Sequence, residues 1–185
     1  MLAASAGHVE VVHKLCSQGD AIAGIARRDS RGRDAVMLAA EKGFDTCVQI
    51  LLTFAPGVSA AFVTLHPEIS AGQARTLSPA EALLMSQDMD GNTALHFASA
   101  NGHLLVLRTL LAAGADPERR NGWSWTAVSY SATVQAEVYF RNLVQEREEA
   151  VRKKKEGAYL NAQGAGMEKE VLSMGGRGLR LVQDE

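Results

Sequence analysis

The chain has 185 residues, of which 46% are hydrophobic and 22% charged, and its formal net charge is -2. That length fits one domain or one repeat array with a tail, and the near-balanced charge gives no global field to draw in nucleic acid or an anionic membrane. Cys16 and Cys47 are the only cysteines. Their spacing does not fit metal ligation, so they are expected to be buried free thiols of a reducing compartment.

Met1-Leu2-Ala3-Ala4 lacks the basic start of a secretory leader, and His8, Glu10 and Lys14 follow closely. No apolar run approaches the roughly 18 residues of a membrane span. No Asn-x-Ser/Thr sequon occurs. A soluble, cytoplasmic chain is expected, with a nuclear pool allowed by the basic run Arg152 to Lys155. That run is also what a solvated helix end looks like.

Three glycines frame the first two-thirds of the chain. Gly7-His8 precedes Val11, Val12, Leu15 and Cys16; Gly43-Phe44 precedes Cys47, Val48, Ile50, Leu51 and Leu52; Gly102-His103 precedes Leu104 to Ala112. Apolar residues at this 3–4 spacing form one buried helix face, and a glycine just past a helix supplies the positive φ of its C-terminal cap. Each frame therefore predicts a helix, a tight reversal and a second, antiparallel helix.

Between the second and third frames lies extra chain, from Pro56 to Gln87. Val58 to Leu65 is apolar and partly alternating. Ser78-Pro79-Ala80-Glu81 reads as a capping box heading a short helix over Ala82 to Met85. The insertion is read as a packed elaboration, with a binding loop as the alternative. A proline-directed phosphorylation site at Ser78-Pro79 is the lesser alternative, because the capping role explains the same residues.

Thr93 and Thr126 lie 33 residues apart and open similar phrases. The first is Asp88-x-x-Gly91-x-Thr93-Ala94-Leu95-His96-x-Ala98. The second is Asn121-x-x-Ser124-x-Thr126-Ala127-Val128-Ser129-x-Ser131. A fixed period of this size marks stacked repeats, which present a long surface to another macromolecule. In the second phrase Gln135 stands where the inter-helix glycine belongs. A long polar helix is predicted from Ala136 to about Lys155, as suits a terminal unit. Glu148–Arg152 and Glu149–Lys153 would support it at i,i+4. From Gly157 on, glycines suggest a flexible tail.

These residues resemble the ankyrin-repeat family, whose unit reads Asp-x-x-Gly-x-Thr-Pro-Leu-His-x-Ala-Ala-x-x-Gly-His, then a hydrophobic helix and Gly-Ala-Asp. Asp88, Gly91, Thr93, Leu95, His96, Ala98, Gly102, His103, Leu110, Leu111, Gly114, Ala115 and Asp116 match it. The resemblance covers roughly residues 1–54 and 88–144. It implies an all-α solenoid of stacked helix-turn-helix units with β-turn tips. The organisation expected is an incomplete repeat one at 1–28, repeat two at 29–55, the insertion at 56–87, repeat three at 88–120, repeat four with its capping helix at 121–155, and the tail at 156–185. Repeat one enters in mid-helix. This leads us to expect a start upstream of Met1 or the loss of earlier repeats, and a partly uncovered face that about nine restored residues would stabilise. In repeat two Asp34 replaces the Thr, yet Asp caps a helix as well as Thr does. The family pattern implies that His96 is structural, bonding back towards Thr93 and neighbouring turns.

No chemistry emerges from the residues. His8 and His13 are five apart and diverge around a helix. Gly175-Gly176-Arg177-Gly178 lacks the Lys-Ser/Thr of a phosphate loop. No catalytic, cofactor-binding or metal-ligating set is expected. The family carries its variable, partner-binding positions on the turn tips and the exposed turn of each first helix. Carried over residue by residue, the strip is Ser5 and Ala6; Ser30, Arg31, Arg33, Glu41 and Lys42; Met89, Asp90, Asn92, Ala100 and Asn101; Gly122, Trp123, Trp125, Thr133 and Val134. Of these, Arg31, Arg33, Glu41, Lys42, Met89, Asp90, Asn92, Asn101, Trp123 and Trp125 are the partner-binding candidates. Alternation puts both tryptophans on one side of an extended turn. Alternatively, one of them folds onto Tyr130 or Tyr139. The expected role is a non-enzymatic scaffold or adaptor, monomeric outside its complex, that binds protein rather than nucleic acid or membrane and needs no cofactor. Gly122 to Val128, with Val134 to Tyr139, is also similar to the last repeat of the fungal ankyrin subunit of target-of-rapamycin complex 2. That similarity implies a regulatory subunit of a kinase assembly. The remaining alternative is a fragment of a longer ankyrin-containing enzyme.

Overall fold

The computed structural model describes residues 1–18, 25, 27–55 and 79–174. These divide into a unit spanning Met1–Gln145 and a second from Glu146 onward. The first unit contains α1 (Leu2–Ser5), α2 (Val9–Ser17), α3 (Ala35–Lys42), α4 (Asp45–Thr53), α5 (Pro79–Leu84), α6 (Ala94–Ala100) and α7 (Leu104–Ala112). A 3-10 turn at Val128–Tyr130 precedes α8 (Val134–Met174). Among the described residues there is no strand, only an isolated bridge between Arg120 and Thr126.

The first helices α1, α3 and α6 stack on one another, and the second helices α2, α4 and α7 stack alongside them. Each first helix ends the same way. Gly7, Gly43 and Gly102 all adopt positive φ, between +70° and +79°. In each case the next N–H reaches back into the helix: His8 to the Ala3 carbonyl (3.0 Å), Phe44 to Ala39 (3.0 Å) and His103 to Ala98 (2.9 Å). These bonds satisfy carbonyls that the helix end would otherwise orphan. Glycine has a second reason to be there. A Cβ on Gly7 would lie 2.5 Å from the Phe44 ring, and one on Gly43 would lie 2.6 Å from His103 Nδ1. The residue that follows the glycine in one repeat thus packs onto the glycine of the repeat before it.

The small residues of the first helices let the stack close. Ala39, Ala40 and Ala98 are fully buried, as are Val48, Val106, Leu107 and Leu110 of the second helices. Asp34 caps α3, its carboxylate accepting from the Met37 N–H at 2.8 Å. Its other oxygen accepts from the Ser86 hydroxyl, which follows α5. The exit of the insertion is therefore a packed element: α5 lies against α4 and buries Ala82, Leu83 and Leu84. The cap residue Ser78 and the apolar stretch 58–65 lie outside the described residues.

Repeat four departs from expectation. Its first helix shrinks to the 3-10 turn, because Ser129 stands at the His position and finds only the Thr126 hydroxyl, 3.2 Å away. The Ala132 N–H bonds the Ser99 carbonyl at 3.1 Å, and the Thr133 hydroxyl caps α8 by accepting from Ala136 N–H at 3.1 Å. The last helix therefore starts at Val134, two residues ahead of the predicted Ala136. It also continues to Met174, through the stretch from Gly157 that the sequence led us to read as flexible. Gly157, Gly164 and Gly166 are interspersed there with Ala, Leu and Gln and followed by Met, Glu and Lys, which propagate helix well. The glycine-dense end, Gly175 to Gly178, lies outside the described residues. Arg152 approaches Glu156 (3.9 Å) rather than Glu148. Two acids at i−4 and i+4 compete for that one exposed guanidinium, and neither gains much.

Candidate protein-binding surface

Three turn tips project from the stack, and all are built alike. Asp29, Asp88 and Asn121 each lead a five-residue turn whose first N–H donates to the fifth carbonyl, at 2.9, 2.9 and 3.0 Å. The leading side-chain oxygen then accepts two further N–H groups. Asp29 accepts from Arg31 and Arg33 (2.9 and 2.8 Å), Asp88 from Asp90 and Asn92 (3.0 and 2.7 Å), and Asn121 from Trp123 and Trp125 (both 3.0 Å). An Asx side chain that replaces backbone partners in this way holds a tight turn rigid. Burial alone would raise the Asp29 carboxyl. The N–H groups of Arg33 and Arg31, with the Arg33 guanidinium, outweigh it and hold the carboxyl below its usual range.

The fourth residue of each tip is left-handed: Gly32 (φ +77°), Gly91 (φ +78°) and Ser124 (φ +63°). Ser124 therefore carries strain that the two glycines avoid. Its left-handed backbone also means that the segment between Trp123 and Trp125 is not extended, so simple alternation does not orient the two indoles. Both tryptophans are nonetheless about half exposed, Trp123 at 54% and Trp125 at 55%. The Trp125 ring meets Tyr130 edge-on at 5.5 Å while keeping its outer face open. The Arg120 guanidinium braces the turn by donating to the Ser124 carbonyl at 2.8 Å.

Neighbouring tips are hydrogen-bonded into a ladder. The Met89 N–H donates to the Arg31 carbonyl (3.0 Å), and the Gly122 N–H to the Asp90 carbonyl (2.8 Å). The Asn121 amide donates to the Asn92 side-chain oxygen at 2.9 Å. The approach is close enough that a Cβ on Gly91 would sit 2.6 Å from Gly122 N. One order along the surface follows: Arg31, then Met89 and Asp90, then the tryptophan turn.

Not every candidate lies on this surface. Asn92 is only 7% exposed. Its amide is spent on Asp88 and Asn121, so it joins two tips and cannot reach a partner. Arg33 is drawn inward by two carboxylates, Asp29 at 2.9 Å and Glu41 at 2.8 Å, and both it and Glu41 serve repeat two internally. The Glu41 carbonyl also accepts from His103 Nε2 at 3.0 Å. Arg31, Lys42, Asp90 and Asn101 are exposed, and Met89 is 77% exposed. The Asn101 amide donates to its own helix, at the Phe97 carbonyl (2.8 Å). Tyr130, absent from the candidates, supports Trp125. Its spacing carries no periodic signal that would single it out.

His96 ties the tip to the helix behind it. Its Nδ1 accepts from the Thr93 N–H (3.2 Å) and hydroxyl (2.9 Å), while Nε2 donates to the Trp125 carbonyl (3.1 Å). This set of partners requires the neutral Nε2–H tautomer. Burial pushes the imidazole pKa down, outweighing the opposing pulls of the Trp125 carbonyl and Asp88. At the other end of the unit His13 sets its ring edge-on to Phe54 at 5.5 Å. Cys47 is a buried free thiol, and Cys16 is only partly buried.

Paired antiparallel helices, glycine reversals and projecting tips define a helical repeat stack of the interaction class. The family profile described as "Ankyrin repeats (3 copies)" matches residues 1–121. The chain belongs to the ankyrin-repeat family, whose modules generally mediate protein–protein interaction. Among solved structures it is similar to the one titled "Crystal structure of the ankyrin repeat domain of Bcl-3: a unique member of the IkappaB protein family". Identity is 25% and the TM-score 0.50, over 71% of this chain. The chain spans 46%, about half, of that domain's length.

Proposed function

We propose that the chain is a non-enzymatic scaffold that binds a protein partner across its turn tips, anchored at Trp123 and Trp125. The observation that carries this reading is the pair of half-exposed indoles on a turn whose five backbone N–H groups, Asn121 to Trp125, are all hydrogen-bonded. Large amphipathic rings presented on a preorganised turn lose little entropy on binding, and tryptophan and arginine dominate binding hot spots. The tip ladder adds Met89 as a second apolar contact and Arg31 as a cationic one, so an extended partner segment with an apolar anchor and an acidic flank fits best. Affinity purification with mass spectrometry, comparing the wild-type chain with a Trp123→Ala/Trp125→Ala variant, tests this. A partner lost with the variant supports the reading; an unchanged partner list contradicts it.

A second reading makes the chain a regulatory subunit of a kinase assembly. It is favoured only by the likeness of residues 122–139 to the fungal complex subunit. Retention of one large kinase among the captured proteins would favour it over a general adaptor.

A further inference from the structure

The first turn tip differs from the other two at its apex. The residue after the leading Asx is Ser30 there, where the equivalents are Met89 and Gly122. Ser30 is exposed, and neither its hydroxyl nor its backbone groups make a hydrogen bond among the described residues. Arg27, three residues ahead, is exposed as well and makes no ion pair among the described residues. The stretch Arg27 to Asp29 is neither helix nor strand. Arg28 is half-buried, and its guanidinium donates to the Gln87 carbonyl at 2.8 Å. An exposed serine in irregular chain, with a free arginine at the third position before it, is the pattern that arginine-directed protein kinases read. The guanidinium meets acidic groups of the kinase, and the hydroxyl is left to meet ATP. The other exposed serines among the described residues miss this pattern. Ser17 lies within α2, and its hydroxyl donates to the Lys14 carbonyl at 2.9 Å. Ser124 and Ser129 have Asn121 and Thr126 in the place of the arginine.

We infer that Ser30 is a phosphorylation site for an arginine-directed protein kinase, and that its phosphate switches off partner binding at the tips. In the transfer, Ser30 Oγ attacks the terminal phosphorus of ATP and the bond from that phosphorus to the ADP oxygen breaks. ADP leaves, and the hydroxyl proton passes to the base of the kinase. The product carries roughly -1.5 to -2 charges near neutral pH. Arg33 is already committed to Asp29 and Glu41. The adjacent cation left for the phosphate is therefore Arg31, which is exposed and makes no ion pair among the described residues. The switch rests on the function proposed above, in which Arg31 meets the acidic flank of the partner. Phosphoserine occupies that guanidinium and repels the same flank, so one modification removes an attraction and adds a repulsion. The turn itself survives, because the bonds from the Arg31 and Arg33 N–H groups to Asp29 involve no group of Ser30.

The test incubates the folded full chain with ATP and the catalytic subunit of cyclic-AMP-dependent protein kinase, an arginine-directed enzyme, and locates phosphate by peptide mass spectrometry. Phosphate should appear at Ser30 and be absent from that peptide in Ser30→Ala. Arg27→Ala should slow its incorporation several-fold while the melting temperature stays that of wild type. No phosphate at Ser30, or incorporation indifferent to Arg27→Ala, overturns the site whatever the partner does. Partner capture then tests the switch. The phosphorylated wild type should lose the partner at least as fully as Arg31→Ala does, while kinase-treated Ser30→Ala keeps it. A phosphorylated chain that still captures a partner lost by the Trp123→Ala/Trp125→Ala variant overturns the switch and leaves the tip reading standing. A partner kept by all of these chains overturns the switch and the tip reading together, and the mapped phosphate decides the site by itself.

Discussion

Alanine at two reversal glycines separates the cost of a backbone conformation from the cost of a blocked contact. Gly43 and Gly102 share nearly the same φ, +79° and +70°. An L-residue there costs about 1–2 kcal/mol for the left-handed backbone alone. At Gly102 that should be the whole effect, because the nearest atom to an added Cβ is Ala132 Cβ at 3.9 Å. At Gly43 the Cβ would press to 2.6 Å of His103 Nδ1, on a ring whose Nε2 bonds the Glu41 carbonyl. Displacing that ring forfeits a hydrogen bond worth about 1 kcal/mol and strains a packed interface for roughly another 1. Gly43→Ala should therefore lose about 3–4 kcal/mol and Gly102→Ala about 1–2 in urea unfolding at unchanged slope. Equal losses at the two sites, or a larger loss at Gly102, would refute the claim that Gly43 seats the His103 ring of the next repeat.

Ser124→Gly should raise stability by about 1 kcal/mol, since it relieves the left-handed strain while leaving both indoles in place; a loss in thermal unfolding would count against that. Arg31→Ala should weaken partner capture and leave the melting temperature unchanged. Arg33→Ala should do the reverse, because its guanidinium holds Asp29 and Glu41, so matched effects of the two would contradict the division drawn between them. Stability should fall as pH drops below about 6.5. His96 is held neutral in the fold, with its pKa depressed, so the unfolded chain takes up the proton first and gains relative to the native state. Unfolding midpoints from pH 7.5 down to about 5 check this. His96→Gln should flatten the dependence, and a slope that persists undiminished would assign it elsewhere.

The repeat frame was legible because the glycine reversals, the 3–4 apolar spacing and the Asx-led tips are local devices that recur in the chain. Asp34 as a cap and Gly7, Gly43 and Gly102 as left-handed ends follow from such rules and are seen in the structure. What the sequence hid was which polar tip residues are used up inside the fold, within a repeat or across two. Asn92 and Arg33 are polar residues at turn tips, and composition marks both as exposed. Asn92 is instead consumed by an amide one repeat away, and Arg33 by a carboxylate one helix away. The tryptophan turn was misjudged for a related reason: Ser124 holds a glycine conformation, which alternation cannot reveal. The length of α8 went unread because a few spaced glycines weigh less against helix than a dense cluster does.

The central claim, that the tryptophan turn binds the partner, is tested most directly by the equilibrium affinity of the captured partner for wild-type and Trp125→Ala chains. The indole packs edge-on against Tyr130 while the three backbone bonds of residue 125 survive the substitution. Folding should therefore change by no more than roughly 1 kcal/mol, while binding weakens by about 1–3 kcal/mol. An unchanged affinity, or a loss wholly accounted for by reduced stability, would contradict it.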